Sequence, residues 1–256
     1  MRKILIAATT AAAFCTAPAF AADMPVKAPP MMAAPASNWT GCYVGGNAGG
    51  AWSRKDTATT IINSASDERD AGKTHLDGWA AGGQVGCDYQ VNNVWVFGIR
   101  GMWDGSDLKG SNDWPSTTFV FNRYKIDGFG TVVATLGYLL NPTLELYGLG
   151  GVAWVRDHLV WTQPGLGLGD DFASSSHTRT GYDVGVGIAW MFAPHWDLFV
   201  EYDHMGFGTK NQSLTGIGAG AGFTYAGNIK QDVDKVLVGL NYRFDAWGKA
   251  PVVAKY

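Results

Sequence analysis

The chain has 256 residues, of which 46% are hydrophobic, 33 are aromatic and 35 are glycine, yet only 16% are charged and the formal net charge is −3. Soluble domains of this size carry about a quarter charged residues, so the composition argues against a surface bathed in water on all sides. The acidic balance excludes the basic footprint of a nucleic-acid binder, and no segment after the N-terminus offers the 18 or more consecutive apolar residues of a spanning helix.

The N-terminus reads as a secretory signal peptide over residues 1–21. Arg2 and Lys3 precede an apolar stretch, Ile4 to Phe14, and Ala19-Phe20-Ala21 is a small-x-small cleavage site. The stretch is too short to span a bilayer. Cys15 follows bulky Phe14, which disfavours a lipoprotein site. Removing Arg2 and Lys3 leaves 17 basic against 22 acidic side chains, a net charge of −5. Residues 22–38, rich in Pro and Ala, read as a linker, and residues 245–256 as a tail on the periplasmic side.

Between them, residues 39–244 repeat one pattern, in which apolar side chains alternate with small or polar ones. Eight segments follow in order: 39–52, 77–90, 94–104, 125–140, 143–156, 180–192, 196–205 and 233–244. The first sets Cys42, Val44, Ala48 and Trp52 against Gly41, Gly45, Asn47 and Gly49. The fourth sets Ile126, Val132, Leu136, Tyr138 and Leu140 against Asp127, Thr131 and Thr135. The sixth is the cleanest, with Tyr182, Val184, Val186, Ile188, Trp190 and Phe192 on one face. Period two places successive side chains on opposite faces of a strand. Connections alternate between short turns at 91–93, 139–142 and 193–195 and long polar stretches at 53–76, 105–124, 157–179 and 206–232. Three short and four long connections make eight strands with both ends on one side.

Trp and Tyr recur near segment ends, as at Trp95, Trp103, Tyr182 and Trp190, which is the placement of the aromatic girdles of an outer-membrane barrel. The prediction is an all-β, closed, eight-stranded antiparallel transmembrane barrel with short periplasmic turns and four long outer loops. Its apolar face meets lipid, and its polar face fills the lumen. On this parity Asp at Val186 impairs insertion far more than Asp at Gly187.

The inward polar set is Asn47, Gln84, Asp88, Arg100, Asp104, Asp127, Glu145, Asp183, Glu201, Asp203, Lys235 and Arg243. An eight-stranded barrel is just wide enough to be filled by side chains. Two readings remain: a plug of salt bridges and hydrogen bonds, or a narrow, mildly cation-preferring pore. In either, Arg100 is expected to pair with a carboxylate on a neighbouring strand. Cys42 and Cys87 fall near the same rim of the first hairpin, on the outward face. They form either a cross-strand disulfide, in keeping with an oxidising compartment, or two free thiols acting as small lipid-facing hydrophobes. The five histidines lack metal-ligand spacing, and Ser64, Ser174 and Ser213 stand in no catalytic arrangement. No cofactor, metal or catalysis is expected.

Several motifs resemble a known family. Trp39-Thr40-Gly41-x-Tyr43-Val44-Gly45-Gly46-Asn47 is similar to the first strand of the small outer-membrane immunogenic (surface antigen) barrels of Gram-negative bacteria. Gly82-Gly83-Gln84-x-Gly86, Val96-Phe97-Gly98, Leu136-Gly137-Tyr138 and Gly150-Gly151-Val152-Ala153 recur there at similar positions, and Val238-Gly239-Leu240-Asn241-Tyr242-Arg243-Phe244 resembles the closing strand. The resemblance spans residues 39–244. It implies the fold of the membrane domain of outer membrane protein A and a place in the outer membrane among lipid and lipopolysaccharide. It implies roles in envelope integrity and as a surface antigen, with porin activity also named. It implies assembly by periplasmic chaperones and the barrel-assembly machinery, with Tyr242 and Phe244 as the signal read. Loop ligands of host or phage origin are a further expectation. Members often carry an acid where Arg100 stands and Arg near Val133 and Thr135, so the internal ion pairs here are expected to be rewired.

Overall fold

A computed structural model of the chain describes residues 38–61, 69–113, 121–162, 171–216 and 224–244. The expected signal peptide, most of the linker and the C-terminal tail lie outside them. Eight strands run in chain order: β1 (Gly41–Ile61), β2 (Arg69–Val91), β3 (Trp95–Asp113), β4 (Phe121–Asn141), β5 (Leu144–Thr162), β6 (Asp171–Ala193), β7 (Trp196–Gly216) and β8 (Thr224–Phe244). Each pairs antiparallel with the next, and β8 returns to β1, with Gly46 opposite Leu240, so the sheet is a closed barrel without edges. The short turns and both ends of the barrel chain share one end, the periplasmic one. Asn92 and Asn93 both take positive φ there (53° and 55°), and Val94 N donates to Val91 O at 3.2 Å. Two consecutive left-handed residues are what a tight hairpin needs to follow strand twist, and Asn tolerates them.

The outer surface is apolar in one band. Its lower rim carries Tyr89, Trp95, Tyr138, Trp190, Trp196 and Tyr242, and its upper rim Trp79, Trp103, Tyr182 and Tyr202, all exposed. Trp95 and Trp103 are separated by the same run of sequence as Tyr182 and Trp190. At about 3.3 Å rise per residue and about 40° tilt the rims stand ~20 Å apart, close to the roughly 25 Å apolar height of such barrels. Val186, midway between rims, is 59% exposed, which in a bilayer means facing lipid.

Three expectations are corrected. The strands are 19–23 residues long, about twice the 9–11 a bilayer requires. Much of what reads as loop at 53–76, 105–124, 157–179 and 206–232 is strand that carries the barrel past the upper rim. Its alternation is polar against apolar with the apolar side inward, as suits a wall in water. Second, a register irregularity between Ile126 and Gly128 reverses the faces of β4. Ile126 is therefore fully buried in the lumen, and Asp127 sits outside, 3.0 Å from Lys125. Third, Gly187 is no neutral inward control, because a Cβ there would overlap the Tyr147 ring.

Candidate functional site

The lumen is filled in layers. Trp39, just ahead of β1, lies across the periplasmic mouth with no exposed surface. Its N donates to Gln90 Oε1 and its Nε1 to Pro142 O, each at 3.0 Å. Arg243 of β8 covers the Trp39 ring at 4.7 Å and donates from Nη1 to Trp39 O at 3.0 Å. The same guanidinium reaches Asp88 on β2 at 2.8 Å and Asp197 on β7 at 2.6 Å. A chain of amides continues across the barrel: Asn241 Nδ2 donates to Asp197 Oδ1 at 2.8 Å, Gln84 Nε2 to Asn241 Oδ1 at 2.7 Å, and Asn47 Nδ2 to Gln84 Oε1 at 2.8 Å.

Above this, Arg100 Nη2 donates to Glu201 Oε1 at 2.6 Å, and Tyr147 OH to Glu201 Oε2 at 2.7 Å. Arg100 lies on β3 and Glu201 on β7, so the pair crosses the lumen instead of joining neighbouring strands as expected. Closure of the barrel brings the two together. Lys235 Nζ, with no exposed surface, is held by Asp104 at 3.1 Å and Asp203 at 3.2 Å. Asp183 is buried beside them. Charges this deep are tolerated only when paired and hydrogen-bonded. Between these layers a cavity of about 20 Å³, lined by Tyr43, Arg100, Glu145, Tyr147, Asp197 and Arg243 among others, has room for roughly one water.

The next layer is apolar: Ala51, Ala80, Phe129, Ala153, Val155, Met205, Phe207 and Val233 are packed together and buried. Above it comes a second ionic cluster that sequence reading missed. Lys55 Nζ meets Asp157 Oδ1 at 3.2 Å, Arg179 Nε lies 3.4 Å from Asp157 Oδ2, and Gln231 Nε2 donates to Asp157 Oδ1 at 3.2 Å. All four residues fall in stretches read as loops. The signal was present in the odd-numbered run Ala51, Ser53, Lys55, which continues the inward face of β1 beyond the membrane. Asp197, Tyr43, Tyr147 and Trp39 also belong to the filling and were not among the expected lumen residues.

Outside the wall, Cys42 and Cys87 are register partners of β1 and β2 and are joined by a disulfide, with Cα atoms 3.9 Å apart. Tyr242 and Phe244 of β8 face outward near the periplasmic end, and both are exposed. Among the described residues no cluster of His, Cys, Asp and Glu is arranged to hold a metal ion.

The outer membrane protein beta-barrel domain family matches residues 7–244 of the chain. The 31 kDa outer-membrane immunogenic protein of Brucella melitensis is 31% identical over 252 residues, covering 94% of this chain and 100% of that protein. The 22 kDa outer membrane protein of Rhizobium leguminosarum bv. viciae is 28% identical, covering 88% and 83%. Among solved structures, OprG of Pseudomonas aeruginosa superposes with a TM-score of 0.50 at 14% identity over 81% of this chain and 97% of that one. The Escherichia coli outer membrane protease OmpT gives 0.53 at 12% over 80% and 97%. These identities show a shared fold alone.

Proposed function

The chain belongs to the outer membrane protein beta-barrel domain family, and from that premise we propose that it is a structural, non-catalytic barrel whose lumen is closed and whose upper half is displayed at the cell surface. The observation that carries the reading is the lumen filling. Crossing charge pairs, an amide chain, an apolar layer and the Trp39 cap fill the lumen, and the cavity beside Arg100 and Arg243 has room for about one water. A conducting pore needs a continuous wet path. All eight strands contribute buried side chains to the filling, among them Asn47, Gln84, Arg100, Phe129, Tyr147, Asp183, Glu201 and Lys235. Envelope integrity then follows from a stable apolar belt in the bilayer, assembled by periplasmic chaperones and the barrel-assembly machinery through the Tyr242–Phe244 terminus. The surface-antigen part rests on the barrel wall that continues beyond the upper aromatic rim, and on the name of the Brucella relative as an immunogenic protein. Ligands of host or phage origin would meet this upper wall first.

The test is single-channel recording of the refolded protein in a planar bilayer, with insertion verified by its heat-modifiable mobility in detergent gels. A silent membrane is expected. Reproducible openings with folded protein present would overturn the closed-lumen reading in favour of a pore.

A further inference from the structure

Four strand pairs are joined at the outer end, so at the periplasmic end no short turn sets their register and side chains must do it. Three of the four carry bulky outward pairs there. β3 and β4 set Trp95 against Tyr138, with ring centroids 5.2 Å apart, and Phe97 against Leu136. β5 and β6 set Leu144 against Trp190 and Leu146 against Ile188. β7 and β8 set Trp196 against Tyr242, with centroids 5.1 Å apart, and Leu198 against Leu240. Cross-strand pairs of this kind are what hold one strand against the next.

β1 and β2 have little of this. Their outward pairs are Cys42–Cys87, Val44–Val85, Gly46–Gly83, Ala48–Ala81 and Gly50–Trp79. On the inward face Gly45, Gly49, Gly82 and Gly86 recur. The register of glycine-rich strands is weakly specified, and a slip of two residues keeps every side chain on its own face. Sliding β1 by two would set Val44 against Cys87, Gly46 against Val85 and Ala48 against Gly83, and the apolar face would still meet lipid. The disulfide stands at the level where the other three pairs carry their bulky contacts, and it removes this choice.

Position also fixes when the bond forms. Tyr89 belongs to the lower aromatic rim, and Cys87 is the next outward position above it, beside Phe97 and Ile99 on the lipid-facing wall. Thiol–disulfide exchange runs through the thiolate, and hydrocarbon does not support an unpaired anion. The two sulfurs can therefore react in this way only while the wall is still in water.

We propose that the Cys42–Cys87 bond is made before insertion, by an exported disulfide-bearing oxidant, and that it fixes the register of the β1–β2 hairpin while the barrel is still open. One cysteine thiolate attacks the oxidant's disulfide to give a mixed disulfide. The second thiolate then displaces the oxidant, which leaves as a dithiol carrying the two electrons and the two thiol protons. The bond spans 45 residues of chain, and closing a loop of that length removes on the order of a thousand-fold of the unfolded chain's freedom. The inference requires only the barrel in its membrane and holds whether or not the lumen conducts.

The experiment folds the urea-denatured chain, without its signal segment, into phosphatidylcholine vesicles and reads the folded fraction by heat-modifiable mobility. Oxidised wild type is compared with C42S/C87S and with C42S/C87S/V44C/V85C, oxidised beforehand, which moves the bond one outward step along the native register. A fourth chain, C42S/V44C, keeps Cys87 and reports the slip. Its thiols are diagonal neighbours in the native register, about 7–8 Å apart and beyond disulfide reach, and oppose each other only when β1 slides by two. Expected is a folding equilibrium constant for C42S/C87S up to about a thousand-fold below that of oxidised wild type, with recovery in the chain whose bond is moved. C42S/V44C should crosslink in the membrane-bound material under copper phenanthroline, an oxidant that enters lipid. Absence of that crosslink would overturn the register role whatever the yields. Reduced wild type, once folded into vesicles, should stay reduced in oxidised glutathione, whereas the same chain in urea closes its bond. Closure in the inserted protein at the rate seen in urea would overturn the order of events.

Discussion

Arg100 and Glu201 show how a buried charge survives inside a narrow lumen. Each ion loses several kcal/mol of hydration on burial, and only close geometry with extra hydrogen bonds offsets that loss. Here the guanidinium-to-carboxylate contact is 2.6 Å, and the second carboxylate oxygen accepts from Tyr147 OH at 2.7 Å. Removing one member strands the other. Glu201→Gln is therefore expected to lower the unfolding free energy by about 3–5 kcal/mol, read from urea titration in lipid vesicles. The apolar double substitution Arg100→Met with Glu201→Leu should recover most of it. An unchanged midpoint for Glu201→Gln alone would mean the pair is wetted and contributes little. Period-two alternation is enough to set Arg100 and Glu201 on the glycine-bearing faces of their strands. It carries no information about which of eight faces meets which across a closed ring, so it points Arg100 to a neighbouring strand and not to Glu201 across the lumen. Asp127 failed for a different reason. One extra residue at a bulge reverses the parity of everything beyond it, and nothing in Ile126-Asp127-Gly128 announces the bulge except the glycine.

At the scale of the strand, the length of the apolar run and the length of the strand are separate quantities. The membrane fixes the first. The second is set by how far inward side chains continue to find partners, and Leu76, Leu108, Ile126, Leu159 and Ile229, all buried above the upper rim, carry it on. The sequence signal there is an alternation with apolar inward and polar outward, the reverse of the membrane part. A reader following lipid-facing hydrophobes loses it at Trp52, Trp103, Trp154 and Tyr202. β6 tests the distinction along one outward face. Val186 lies between Tyr182 and Trp190, whereas Thr178 is outward but above the upper rim. Val186→Arg is expected to cost roughly 2–4 kcal/mol, the cost of a basic side chain at the bilayer midplane. Thr178→Arg should stay within about 0.5 kcal/mol of wild type, as surface substitutions do. Equal sensitivity at the two positions, measured by folding into vesicles, would mean the membrane level is misplaced along the strands.

For the whole molecule, the lumen is closed at successive levels by different physics, and the two lowest are followed by the Lys55–Asp157–Arg179 cluster above them. The lower closure is polar: Trp39 under Arg243, then Arg100–Glu201 and Lys235 between Asp104 and Asp203. The next closure is apolar, built on Phe129, Met205 and Phe207. Polar closures yield to water when a charge is removed, because the remaining groups can be hydrated in place. An apolar layer admits water only when its volume is emptied, since a small cavity lined by apolar groups stays dry. Conductance should therefore respond to neither alone. Arg100→Ala with Glu201→Ala is expected to leave the bilayer silent, because the ring at Phe129 and Phe207 still excludes water. Phe129→Gly with Phe207→Gly is expected to be silent as well, because the ion pairs below remain. Joining all four still leaves Lys235 between Asp104 and Asp203, Arg243 over Trp39, and Lys55 and Arg179 on Asp157. The membrane is therefore expected to stay silent there too, and openings in that variant would place the whole barrier in Arg100, Glu201, Phe129 and Phe207. Each variant is recorded only after its heat-modifiable mobility shows a folded barrel. Openings from the Arg100/Glu201 variant alone would place the barrier entirely in the polar layer. The apolar ring would then be packing, not a second gate.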